Sequence, residues 1–231
     1  MFNIKFNKWY SLLASLFYFI YAHKTHIYEG AGLLEYLNLV VNFGVVLLIS
    51  IWLISKSDAE YILNFVILFV FVLYLFVLHS FVTYIDIPYY ITQEYVGNPY
   101  VNMERINLIP FKTIYSNLFG GVVALVTIIQ TIGNLLLLLP LAFALLSLQI
   151  LNNKYKVGLV IFLTTVLIEM YQLLGNFIVS GYMYSEGGSR AIDIDDILLN
   201  TMGGLIGIVL FIIYKRLFFN QVLDRKSFTS I

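Results

Sequence analysis

The sequence predicts an all-α fold, a polytopic bundle of transmembrane helices, and three observations predict it. Hydrophobic residues make up 61% of the 231 residues and charged residues only 11%, far from the balance of a soluble domain. Mean hydropathy is +0.89. The apolar residues gather into runs close to the roughly 20 residues a helix needs to cross the hydrocarbon core, and the charges sit mostly between the runs.

The first run, Trp9 to Ala22, follows Lys5 and Lys8, which is the layout of a signal peptide. It ends FIYAHKTH, with bulky residues where a cleavage site needs small ones, so an uncleaved first span is expected. This run is short and must borrow Phe2, Ile4 and Phe6 to cross. Leu33 to Ser55, Ile62 to Val82 and Val157 to Val179 are of spanning length, and Ile194 to Tyr214 fits if its first residues lie at the interface. Phe119 to Leu151 is too long for one straight crossing and contains Gly120, Gly121, Gly133 and Pro140. An interfacial or re-entrant stretch from about Thr113 to Gln130 is expected there, followed by a Pro-kinked fourth span to Leu151.

About six spans result, and the distribution of Lys and Arg orients them. One side holds Lys5, Lys8, Lys56, Lys154, Lys156, Lys215, Arg216, Arg225 and Lys226; the other holds only Lys24, Arg105, Lys112 and Arg190. Both termini are therefore expected in the cytoplasm, with the loop Thr83 to Lys112 and the 180–193 segment outside. No repeat or linker divides the chain. Its parts are 1–104, three N-terminal spans and an outer loop; 105–214, the remaining spans; and 215–231, a basic cytoplasmic tail.

Lys plus Arg and Asp plus Glu are both 13, so net charge points to no nucleic acid and no acidic partner. Cysteine is absent, which removes disulfides, thiolate nucleophiles and cysteine metal sites.

The polar residues inside the oily runs carry the functional signal. Glu169 lies near the middle of the fifth span, where a charged side chain costs roughly 2.5 to 3.5 kcal/mol on insertion scales, so it should face the bundle interior. Thr165, Glu169, Gln172 and Asn176 share one helical face, as do Asp193, Asp196, Asn200, Gly203 and Gly207 in the sixth. Gly203 and Gly207 form a small-xxx-small pair that admits a neighbouring backbone. Gln130 with Asn134, and Glu35 with Asn38 and Asn42, add two further polar pairings at helical spacing. Arg190 is the evident counter-charge for Asp193, Asp196 or Glu169.

Blander roles fit some of these residues. Asp193 and Asp196 also have the spacing of an N-cap and an acidic first turn, and Asp195, off the stripe, reads as a cap. Glu169 could be glue to Gln130 or Asn134. His23 and His26 have a spacing that could bring two imidazoles together, with no carboxylate nearby to complete a metal site. Asp193, Asp195 and Asp196 form D-x-D-D, whose oxygens suit Mg²⁺ or Ca²⁺, although Arg190 competes for the same charge. No resident metal or cofactor is expected.

Three blocks, ERINLIPF at 104–111, GNLLLLLPLA at 133–142, and EMYQ at 169–172 followed by RAIDIDD at 190–196 and NTMG at 200–203, resemble the VanZ-like family of bacterial membrane proteins and stand in the family order. Ala142 stands where the family pattern has glycine. The resemblance spans about Arg105 to Phe211 and implies a multi-pass protein of the bacterial cytoplasmic membrane. The name-giving member is associated with low-level resistance to teicoplanin, a glycopeptide antibiotic acting on extracytoplasmic cell-wall precursors.

The implied reading is an outward-facing polar pocket for a membrane amphiphile, either a lipid-linked precursor or a lipoglycopeptide. Arg105 and Arg190 would bind an anionic headgroup and Glu169, Asp193 and Asp196 would balance them. Asn107, Asn134, Gln172 and Asn200 would supply hydrogen bonds. Two competing readings are an intramembrane hydrolase or transferase, with Glu169 or Asp193 as catalytic acid or base, and a proton-coupled transporter using Glu169.

Overall fold

The computed structural model describes residues 6–92, 106–121, 123–179 and 192–218, and of residues 176–179 the backbone alone. Arg105, Arg190, the side chain of Asn176 and residues 219–231 of the basic tail fall outside the described residues, while Lys215 and Arg216 lie in the last turn of the final helix. Among those described, the protein is an all-α bundle with one two-residue strand pairing.

A 3-10 turn, Lys8–Leu12, leads into α1 (Leu13–His26), followed by α2 (Leu33–Lys56), α3 (Ile62–Val82) and the short α4 (Ile87–Thr92). After the outer loop come β1 (Ile106–Asn107), α5 (Lys112–Phe119), α6 (Leu125–Leu137), α7 (Leu139–Ser147), α8 (Lys154–Val179), β2 (Ile192–Asp193) and α9 (Ile194–Phe218).

Among the described residues, five stretches are long and apolar enough to cross a membrane: Leu33–Lys56, Ile62–Thr92, Leu125–Ser147, Lys154–Gly175 and Ile194–Phe218. The multi-pass bundle stands, and the first run begins as a 3-10 turn that leads into α1. α1 has 14 residues, roughly 21 Å of helix, and the five-residue 3-10 turn that leads into it adds about 10 Å, together close to the core thickness of about 30 Å. Phe6 does not extend this run. Its backbone N–H donates to the Glu60 carbonyl at 2.8 Å, its ring stacks on Phe65 at 5.1 Å, and Asn7 starts the 3-10 turn by accepting from the Trp9 N–H at 3.1 Å.

Lys8 Nζ donates to the carbonyls of Ser55 at 3.1 Å and Ser57 at 2.9 Å, and the Asp58 N–H to that of Leu148 at 2.8 Å. These contacts gather the α2–α3 and α7–α8 turns at one end, which is the lysine-rich end. The candidate-site residues Asn107, Asp193, Asp195 and Asp196 lie at the opposite end.

The long fourth segment divides differently from the expected 113–130 and 131–151. α5 is a separate eight-residue helix that stops at Gly120, and the span itself already begins at Leu125. The helix breaks at Leu138 (φ −100°, ψ 4°), because Pro140 has no N–H for the Leu136 carbonyl and its ring crowds that turn. The Tyr74 hydroxyl donates to the neighbouring Leu137 carbonyl at 2.7 Å, satisfying an acceptor at the break.

α9 packs against α6, α7 and α8 and is the element around which the C-terminal half is built. Small residues permit this. A Cβ on Gly203 would run into the Leu135 carbonyl oxygen, one on Gly207 into that of Leu139, and one on Gly204 into Ile161. Ala142 is fully buried and its Cβ would lie 3.1 Å from a Cβ on Gly207, so a small residue there serves packing.

Candidate functional site

The site begins with a mismatch between helix period and chain. Asp193 belongs to β2, so α9 starts only at Ile194 and the stripe from Asp193 through Asp196 is not continuous helix. β1 and β2 pair in parallel, Ile106 opposite Ile192 and Asn107 opposite Asp193. Asn107 Nδ2 donates to Asp193 Oδ1 at 2.7 Å and to Thr113 Oγ1 at 3.1 Å. The same Asp193 oxygen accepts the Asp195 N–H at 2.9 Å. Asp193 is thus both the N-cap of α9 and an anchor for the loop ahead of α5.

Asp195, expected as a cap of its own helix, caps a different one. Its Oδ1 accepts the Phe111 N–H at 2.5 Å, and its Oδ2 accepts those of Thr113 at 2.8 Å and Ile114 at 3.1 Å. These are donors of the first turn of α5, left without intrahelical partners and facing the positive end of the helix dipole. Phe111 sits in the left-handed region at φ 66°, a conformation costing a bulky residue roughly 1–2 kcal/mol. The charge-assisted bond to its N–H offsets that cost. Asp195 is fully buried, and sequence reasoning misses it as a site residue because its partners lie 81 to 84 positions away.

Asp196 takes the next register. The Asn134 amide on α6 donates to its Oδ1, so the three carboxylates of D-x-D-D diverge. Asp195 is committed to N–H donors, Asp193 to the loop and Asp196 to α6, which is not the convergent geometry a shared cation requires.

Glu169, only 5% exposed, points at the same junction: the Asp193 N–H lies 3.4 Å from its Oε2. One turn deeper, the Thr165 and Thr201 hydroxyls stand 3.4 Å apart, tying α8 to α9. Gln172 is half-buried above Glu169. Asn200 is 2% exposed and its Oδ1 finds no donor among the described residues. Asn107 and Glu169 therefore each meet Asp193, with Asn134 and Asp196 as an adjoining pair.

Other expected members lie elsewhere. Gln130 is exposed on α6, one turn ahead of Asn134. Glu35 accepts the Gly32 N–H at 2.8 Å and caps α2. Asn38 and Asn42 build a second polar cluster with the α3–α4 turn. Asn42 Oδ1 accepts the Ile85 N–H at 2.9 Å and lies 3.0 Å from His79 Nε2. His79 therefore carries its proton on Nε2, and Nδ1 accepts from the Thr83 hydroxyl at 2.8 Å. Asn38 Nδ2 donates to the Tyr84 hydroxyl at 2.7 Å. His26 stacks on Tyr84 at 5.0 Å while His23 packs against Phe19 and Tyr36, so the two imidazoles are aromatic neighbours. The Tyr171 hydroxyl donates to the Tyr84 carbonyl at 3.2 Å, linking this cluster to α8 beside Glu169.

The comparison with curated proteins and that with solved structures each find no match. A family model described as VanZ/LLP1 matches residues 65–215, well over half of the 231 residues. That span begins inside α3, ahead of the sequence blocks at 104–111, and takes in the whole carboxylate cluster with all three helices that frame it. The chain belongs to the VanZ/LLP1 family.

Proposed function

We propose that this VanZ-like membrane protein acts at the bacterial cytoplasmic membrane by recognising the headgroup of an amphiphilic envelope ligand in a polar pocket on its outer face. A lipid-linked cell-wall precursor or a lipoglycopeptide of the teicoplanin type fits this description, and reduced teicoplanin susceptibility is the expected consequence. The observation that carries the reading is the burial of Glu169 and Asp193, 5% and 6% exposed, at one junction of α8, β1 and β2 in an otherwise oily bundle. Ionisable groups held inside a membrane bundle mark ligand or ion pathways by default.

In this reading Glu169 and Asp193 set the charge of the pocket floor, and Asn107, Asn134, Gln172, Asp196 and Asn200 offer hydrogen bonds above and beside it. Arg105 and Arg190 supply the positive charge for an anionic headgroup. Positive-inside bias puts this end of the bundle outside.

The test is teicoplanin susceptibility of a sensitive host expressing the protein. Glu169→Gln and Arg190→Ala should each abolish the shift in inhibitory concentration at unchanged amounts of membrane protein. Retention of the full shift in both variants would sink the proposal. Turnover of a lipid substrate by the purified protein, lost in Glu169→Gln, would replace binding with catalysis.

A further inference from the structure

The sequence leaves the segment ahead of the fourth span as either interfacial or re-entrant, and the two sides of α5 separate these. Thr113, Ile114, Asn117 and Leu118 are half-buried against the bundle, and Asn117 Nδ2 donates to Thr131 Oγ1 on α6 at 3.3 Å. The outward side carries two parallel rows. Phe111, Tyr115 and Phe119, spaced by four, are 62%, 65% and 69% exposed, and the Tyr115 and Phe119 rings lie 5.9 Å apart. Lys112 and Ser116, one residue further on and so about 100° around the helix, form the second row and are also exposed.

We infer that α5 is a membrane-docking helix lying in the interface plane, with its aromatic row in the upper acyl region and Lys112 and Ser116 at the headgroups. Aromatic rings prefer that depth, and the long, flexible lysine stem reaches back to phosphate. A re-entrant path through hydrocarbon would drown Lys112 and Ser116, which face outward. A second copy of the chain is a poor occupant, since a stable interface takes about 800 Å² per partner, more than three partly exposed rings supply. Continuity argues for lipid: the exposed apolar row runs on into Leu125 and Ile129 at the start of the α6 span.

The N-terminus of this helix is held by Asp195. The bilayer surface and the carboxylate cluster thus share one rigid element. The inference requires only the membrane and stands whether or not the ligand reading above is right.

The chain has no cysteine, so single substitutions give clean probe sites. Lys112→Cys, Tyr115→Cys, Ser116→Cys and Phe119→Cys, all at exposed positions, would be spin-labelled and placed in nanodiscs of phosphatidylethanolamine and phosphatidylglycerol. The ratio of relaxation by oxygen to relaxation by a water-soluble nickel chelate should be several-fold higher at 115 and 119 than at 112 and 116. Equal ratios at all four positions, or a chelate-dominated signal at 115, would overturn the inference. Exclusion of both relaxants at 115 with spin–spin broadening would overturn it in favour of a second copy.

Discussion

Asp195 accepts three backbone N–H bonds and is fully buried, so it has the most to lose from a one-atom change. Asp195→Asn removes the charge and turns an NH₂ toward donors that cannot accept it. Hydrogen bonds to a charged group are worth roughly 1.5 to 3 kcal/mol, and the expected loss is about 3 kcal/mol. The check is the thermal midpoint of the detergent-solubilised protein, with α5 the first region to lose protection in hydrogen exchange. An unchanged midpoint would mean that the three N–H groups find water instead. The sequence shows an acid at this position but not what it binds, since a carboxylate two residues into a helix reads as a local cap and nothing local reveals the turn it reaches. Asp193 is the companion case. Its capping role is readable from Asp followed by an oily run, whereas its pairing with Asn107 depends on a strand bridge too short to leave a period-2 pattern.

At the scale of elements, helical periodicity is a sound guide wherever the helix is continuous. Gly203 and Gly207 lie on one face of α9, as their spacing of four requires, and both meet backbone carbonyls. Gly203→Ala should force α9 off α6 and cost on the order of 1–3 kcal/mol. Gly133→Ala, where a Cβ meets nothing within 4 Å, should be neutral or slightly stabilising through helix propensity. A melting comparison of the two variants checks this; equal midpoints would show that α9 has slack enough to admit the methyl group. Periodicity fails where the element changes, at Asp193. The first run starts at Lys8 and not at Phe2 or Phe6, because Asn7 caps the 3-10 turn and Lys8 bonds to the α2–α3 connection, competition that hydropathy cannot register. The interfacial or re-entrant stretch expected from about Thr113 to Gln130 holds the short helix α5, which Gly120 and Gly121 end well before Gln130.

For the whole molecule, the strongest expectation is orientation. The two ends differ in kind: the lysine-rich turns gather at one, and the carboxylate cluster of the candidate site lies at the other. The absence of cysteine permits a direct check. In intact cells a membrane-impermeant maleimide should label Ser116→Cys, at the carboxylate end, and leave Asn152→Cys, exposed at the lysine-rich end, unmodified until the membrane is opened. The reverse pattern would move the candidate site to the cytoplasm and remove any role for extracytoplasmic precursors. The oily composition and the three motif blocks make the membrane class and family readable from the start. The pairing of distant loops is not readable, because it is set by which helix ends finish together in space.

The Asp195 clamp also has a consequence in time. Asp195 lies 84 residues after Phe111, and synthesis at about 5–20 residues per second would deliver it roughly 4 to 17 s later. Until then α5 would enter the lipid with its first-turn N–H groups unclaimed, beside an α6 not yet covered by α9. Any factor that guards nascent membrane helices would find its exposed client there, and release would coincide with arrival of the last span.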